Sequence, residues 1–123
     1  MAVLSIVFGC AYDNLEDLHP SAPPCVLNDT ISFTHDILPI FVNSCGTNNV
    51  ACHQDQNSDS GYGLATYDDV SFTIDDSGLL TQSVTHDPSI ASTKWMPQGI
   101  SDKIDNCSIA KIQKWMNLGH LNN

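Results

Sequence analysis

The sequence predicts a mostly α-helical domain with helices near both ends of a loop-rich chain. From Cys107 to Leu118, Ile109, Ile112, Trp115 and Met116 recur at the spacing of one helix face, while Lys111, Gln113, Lys114 and Asn117 lie opposite. Within Ile31 to Val42, the apolar Phe33, Ile37, Leu38, Ile40 and Phe41 accompany Thr34 and Asp36, residue types that cap and charge a helix start. Between these stretches Asn, Ser, Thr, Asp and Gly dominate, the composition of turns and caps. Two helices at opposite ends of such a chain need a shared object to pack around.

In chain order, the first helix is expected over residues 35–44, with Pro39 distorting its first turn because proline lacks a backbone N–H. Residues 45–63 read as loop, punctuated at its end by Gly61 and Gly63. Thr66 followed by Asp68 and Asp69 is a cap with an acidic first turn, so a short helix is expected to about residue 73. A second loop is expected through Asp75-Asp76-Ser77-Gly78 and into Asp87-Pro88. The final helix is expected over 107–118, capped by Asp105 or Asn106 and ended by Gly119. The sequence contains no internal repeat and no low-complexity tract.

A chain of 123 residues fits one domain. Four Lys, no Arg and fourteen acidic residues give a net charge of -10, which leaves almost nothing to neutralise phosphates and excludes nucleic acid as an expected partner. The same charge opposes electrostatic attachment to anionic lipid, while a basic protein partner or a lipid anchor is compatible with it. Nine aromatics build a modest core. Five cysteines are many for this length, and point to disulfides, metal, covalent cofactor, lipid or a mixture.

Residues 1–9, MAVLSIVFG, form a short apolar run ending in a small residue before Cys10. This resembles the end of a bacterial lipoprotein signal covering residues 1–10, in which Cys10 becomes the lipidated first residue. No Lys or Arg precedes the run, so a basic segment upstream would be needed to complete the pattern; the other reading is a buried strand with a core Cys. Residues 11–29, with Asp13, Glu16, Asp17, Pro20, Pro23 and Pro24, read as an extended tether to a domain spanning 30–123. No segment reaches the ~18 apolar residues of a membrane span.

The stretch that carries chemistry is Cys45-Gly46-Thr47-Asn48-Asn49-Val50-Ala51-Cys52-His53. A Cys pair closing on Cys-His is how c-type haem is held: two thiols form thioethers with the haem and the following His ligates the iron. The usual pattern places two residues between the Cys, whereas here there are six. By spacing alone, zinc ligation or a disulfide accounts for the pair equally well.

The flanks extend the pattern. Ser32-Phe33-Thr34-His35-Asp36-Ile37-Leu38-Pro39-Ile40-Phe41, Gly63-Leu64-Ala65-Thr66-Tyr67-Asp68-Asp69-Val70, Met96-Pro97-Gln98-Gly99, and the stretch from Ile109 to Gly119 with Asn122-Asn123 stand in this order. Together they resemble the first helix, post-haem segment, axial-Met turn and last helix of the small class-I-like bacterial monohaem cytochrome c domains. The resemblance spans about residues 30–123 and departs from the family at the six-residue gap. It implies a small cytochrome c-like fold, with helices and long loops wrapped around one covalent haem c. Cys45 and Cys52 are then the thioether donors, His53 the proximal ligand and Met96 the distal ligand.

Met96 has two competitors. Met116 sits on an apolar helix face, where a Met is usually core, and His86 would give bis-His ligation. His19, His35 and His120 are expected to face solvent, and Trp95 to pack against the haem rim. Because the first and last helices of the resembled family cross beside the haem, and an exported chain oxidises its thiols, a Cys25–Cys107 disulfide is expected. The implied function is electron transfer without catalysis, as a carrier or as a subunit of a respiratory or polymeric electron-transfer assembly, with redox proteins as partners. The implied location is the periplasm or cell surface, with membrane attachment only through a lipid on Cys10. One rival reading is a haem-free exported binding module stabilised by Cys45–Cys52 and Cys25–Cys107 bridges, and a second is a haem enzyme or sensor with an open sixth position.

Overall fold

A computed structural model of the chain describes residues 25–99 and 102–123, and all regular secondary structure there is helical, with no β-strand among the described residues. The signal-like residues 1–10 and residues 11–24 of the expected tether lie outside the described residues; 25–29 are exposed and without regular structure.

The first helical unit begins two residues before the expected start, as a π turn over Phe33–Ile37 that leads into α1, Leu38–Ser44. Its cap is Ser32, not Thr34: the Ser32 hydroxyl accepts the His35 N–H at 3.3 Å, and the Asp36 carboxylate accepts the Ser32 N–H at 3.0 Å. The distortion expected of Pro39 is the π turn itself. Proline has no N–H to return to His35, and the turn before it widens, with Ile37 N–H bonding Ser32 O at 3.2 Å and Leu38 N–H bonding Phe33 O.

Helix α2 spans Tyr67–Ser77, capped as expected by Thr66, and it runs four residues past the expected end. Val70, Thr73 and Ile74 are buried at helical spacing, and the Ser77 hydroxyl bonds Thr73 O at 2.6 Å. The helix stops only at Gly78, whose φ of 61° suits the left-handed position after a helix. Residues 75–77, expected in loop, are therefore helical. A further helix, α3, Leu80–Thr85, lies where the second loop was expected. Its β-branched residues disfavour helix and it lacks a side-chain cap, but Leu80 and Val84, one turn apart, are both buried. After a 3-10 turn at Ser92–Lys94, α4 spans Asn106–Asn117, capped by Asp105 through the Ser108 N–H at 2.9 Å.

The first and last helical units meet at the core. Phe33 packs on the fully buried Trp115 with ring centroids 5.6 Å apart, and edge-on to Tyr67 of α2 at 5.2 Å. The indole N–H of Trp115 bonds Leu121 O and the Tyr67 hydroxyl bonds His120 O, each at 3.0 Å, so the segment after α4 is tied to both helices. That segment then caps the first helical unit. Asn123 accepts the Phe33 N–H on its side chain at 3.0 Å and the Thr34 N–H on its carbonyl at 3.2 Å, satisfying donors that a helix start leaves free. Lys111 of α4 pairs with Asp36 at 3.1 Å. Cys25 and Cys107 are joined by a disulfide that fastens the chain entering the domain to the first turn of α4. Among the described residues no helix is long and apolar enough to cross a membrane.

The disulfide closes a loop across a sequence separation of 82. On the loop-entropy estimate, Cys107→Ser should cost on the order of 4 kcal/mol, read as a lower denaturant midpoint. A second effect follows pH. The Asp36 carboxyl is held below its ordinary range, chiefly by the Ser32 N–H and also by Lys111, against an opposing effect of burial. A depressed carboxylate stabilises the fold above its unfolded-state pKa and loses that contribution as pH falls through the folded-state value. Asp36→Asn should therefore cost on the order of 0.5 kcal/mol of stability at pH 7 for a partly exposed pair, read as a lower urea midpoint. Its midpoint should converge with wild type below the folded-state pKa.

Candidate functional site

Where α1 ends, the Cys45 N–H still bonds Phe41 O at 2.9 Å, so the helix delivers Cys45 in a set position. Gly46 then turns the chain with φ 61°. The residues between the two cysteines fold as consecutive tight turns, with Asn49 N–H on Gly46 O at 2.9 Å and Cys52 N–H on Asn49 O at 3.0 Å. These turns bring Cys52 back beside Gly46. A Cβ at position 46 would lie 2.8 Å from Cys52 Cβ and 3.1 Å from its sulfur, so only glycine fits. The six-residue gap is in this way compacted, and both thiols are free. The Cys45–Cys52 bridge of the binding-module reading is not formed. Burial, and secondarily the neighbouring Cys52, pushes the Cys45 thiol up to about 12.

His53 follows with its ring orientation set. Its Nδ1 lies 2.8 Å from Tyr62 O. A carbonyl only accepts, so Nδ1 carries a proton, and Nε2 is the nitrogen turned away from this bond and open to a ligand. Ser60 supports this arrangement: its hydroxyl bonds Cys52 O and Tyr62 O, and sits 3.3 Å from His53 Nδ1. Gly63 lets the strand of backbone after Tyr62 lie against the loop, because a Cβ there would meet Asp55 Cα at 2.7 Å.

Cys45, Cys52, His53 and Met96 all line one cavity of about 820 Å³, a volume within the usual range of ligand pockets. Leu64, Leu80 and Val84 supply apolar wall, and Leu80 and Val84 come from the unexpected α3. Met96 is held by the same helix: its N–H bonds Ser83 O at 3.0 Å, and its carbonyl lies 3.0 Å from His86 Nε2.

The competing residues separate on position. Met116 packs against the hydrophobic core. His86 does not line the large cavity; it faces a second hollow of about 500 Å³ and stacks on Trp95 at 5.1 Å with the rings 6° from parallel. Trp95 likewise faces that hollow, bonding Asp87 O through its indole N–H at 3.0 Å. His35 is exposed as expected. His120, expected in solvent, is instead partly buried edge-on against Trp115 at 5.8 Å. His19 lies outside the described residues.

Sequence reasoning missed the Tyr62 carbonyl, Ser60 and Ser83, because backbone acceptors and short hydroxyl bonds leave no mark in residue identity. No three His, Cys, Asp or Glu side chains gather as a metal-ion site among the described residues. A haem iron does not ask for such a group, since the macrocycle supplies four nitrogens and the protein one imidazole and one thioether. The donor set here is of that kind: two unbridged thiols, an imidazole with its far nitrogen already bonded, and a thioether, all on one cavity. Comparison of the chain with protein-family models, with curated proteins and with solved structures gives no match in any of the three.

In protein made without cytochrome c maturation, an alkylating reagent should label Cys45 and Cys52 but neither Cys25 nor Cys107 until reduction. At pH 8 Cys45 should react more slowly than an unhindered peptide thiol, because it stays protonated. Peptide mass mapping over a time course reads both effects.

Proposed function

We propose that this chain is a small monohaem c-type cytochrome that passes single electrons between larger redox proteins. The observation that supports this most is that Cys45, Cys52, His53 and Met96 line one cavity although His53 and Met96 lie 43 positions apart in the sequence. Cys45 and Cys52 hold the haem through thioethers, His53 Nε2 and Met96 sulfur hold its iron, and the fold is cytochrome c-like. Bound haem supplies a one-electron ferric–ferrous couple.

The chain's own residues set how that couple works. Tyr62 O fixes the tautomer and orientation of His53, and a hydrogen bond at the far ring nitrogen raises the basicity of the ligating one. A soft thioether and the apolar wall of Leu64, Leu80 and Val84 favour the ferrous state and raise the potential. If His53 and Met96 both held the iron, they would leave it no position for a substrate, which supports a carrier or assembly subunit over an enzyme. The net charge of -10 steers encounter toward basic redox partners. Export to the periplasm or cell surface follows from covalent haem and the Cys25–Cys107 bridge, with Cys10 as the residue that a lipid would occupy.

Protein co-expressed with a cytochrome c maturation system should retain one haem after denaturation, with the cofactor on a peptide containing both Cys45 and Cys52. Haem that extracts into acid acetone from wild type would overturn the proposal. The ferric protein should show the near-infrared charge-transfer band of thioether ligation. Met96→Ala should abolish the band and open the iron to carbon monoxide when reduced, whereas Met96→His should keep six ligands and lower the potential. Persistence of the band in Met96→Ala would move the distal ligand to another residue.

A further inference from the structure

We propose that His86 is the positioning residue that keeps Met96 seated as the distal ligand; the inference rests on the cytochrome reading above and adds a residue to it. A methionine presented from a loop can swing away from an iron, so what restrains its backbone decides how long it stays. Both polar backbone groups of Met96 are restrained from the end of α3. Its N–H bonds Ser83 O at 3.0 Å, a carbonyl in the last turn of α3 that also accepts the His86 N–H at 3.3 Å. Its carbonyl lies 3.0 Å from His86 Nε2 and can only accept, so Nε2 carries a proton and donates.

The conformation of His86 points the same way. It occupies the left-handed position after α3, at φ 53° and ψ 47°, where Gly or Asn would be the easier residue. Capping alone does not call for an imidazole there. The ring is held where its Nε2 reaches Met96 by stacking on Trp95, at 5.1 Å and 6° from parallel, and Trp95 is itself anchored through its indole N–H to Asp87 O at 3.0 Å. Residues 95 and 96 are thus fastened to residues 83–87 by three hydrogen bonds and a stacked pair. His86 acts on the iron site through Met96, from outside the cavity that the ligands line.

The test uses the full chain matured with haem, comparing wild type with His86→Gly and His86→Gln. Glycine takes the left-handed conformation freely, so His86→Gly removes the ring without straining the cap, and the Gln amide keeps an N–H donor. The readout is the rate at which imidazole displaces the thioether from ferric protein, followed by loss of the near-infrared band. Losing one neutral hydrogen bond should speed displacement about five- to tenfold in His86→Gly, and His86→Gln should restore much of the difference. A second readout is NMR of the reduced protein. Wild type should show the Nε2–H tautomer at His86 and a slowly exchanging Met96 amide, and His86→Gly should speed that exchange. A wild-type displacement rate in His86→Gly, or an Nδ1–H tautomer at His86 in wild type, overturns the proposal while leaving the cytochrome reading in place. A wild type without the thioether band overturns the cytochrome reading and this proposal with it.

Discussion

The contact between Phe33 and Trp115 is the constraint on which the rest depends. It joins the start of the first helical unit to the middle of α4, and Tyr67 meets the same Phe33 ring edge-on, so three helical segments share one aromatic junction. Trp115 and Phe41 are among the largest side chains with no exposure, and a domain with seven aromatics has few others able to fill that volume. The last residues repeat the closure in polar form. Asn123 satisfies N–H groups at the start of the first helical unit, and Tyr67 and Trp115 bond the carbonyls of His120 and Leu121.

That junction sets where the cavity lies. With Phe33 and Phe41 fixed in the core, the C-terminal end of α1 releases Cys45 beside α2 and α3, and the tight turns of residues 46–52 return the second thiol to the first. The backbone then continues to Tyr62, whose carbonyl holds the His53 ring. On the other side, α3 contributes apolar wall through Leu80 and Val84 and ties down the Met96 segment through Ser83 and His86. A helix of six residues with weak intrinsic propensity therefore carries much of the site's geometry.

Among the described residues two kinds of cysteine divide the labour. Cys25 and Cys107 are consumed as a structural staple across the domain's entry and α4, whereas Cys45 and Cys52 remain thiols at the cavity. The burial that keeps Cys45 protonated makes it a slow nucleophile until something in the cavity changes its surroundings. The same economy appears among the histidines. His53 lines the cavity with one ring nitrogen engaged, His86 bonds a backbone carbonyl, and His120 packs on Trp115.

The sequence by itself determined the elements whose signals are local. Helical spacing located α1, spacing and caps located the start of α2 and all of α4, and the Cys-His ending singled out Cys45, Cys52 and His53. It did not reveal α3 or the last turn of α2. The Asp and Ser residues of 75–77 and the Thr residues of 81 and 85 have turn-like or weak helix preferences, which burial of Ile74, Leu80 and Val84 overrides. That His86 bonds a backbone carbonyl was not legible from composition, because the partner of an imidazole depends on what lies within about 3 Å of it. Only the tertiary structure places Met96 O there, and only it brings Met96 to the cavity that holds His53. Local signals arise from neighbours along the chain. The cavity and its supporting bonds join residues tens of positions apart, and their proximity comes from the closure of the first helical unit on the last.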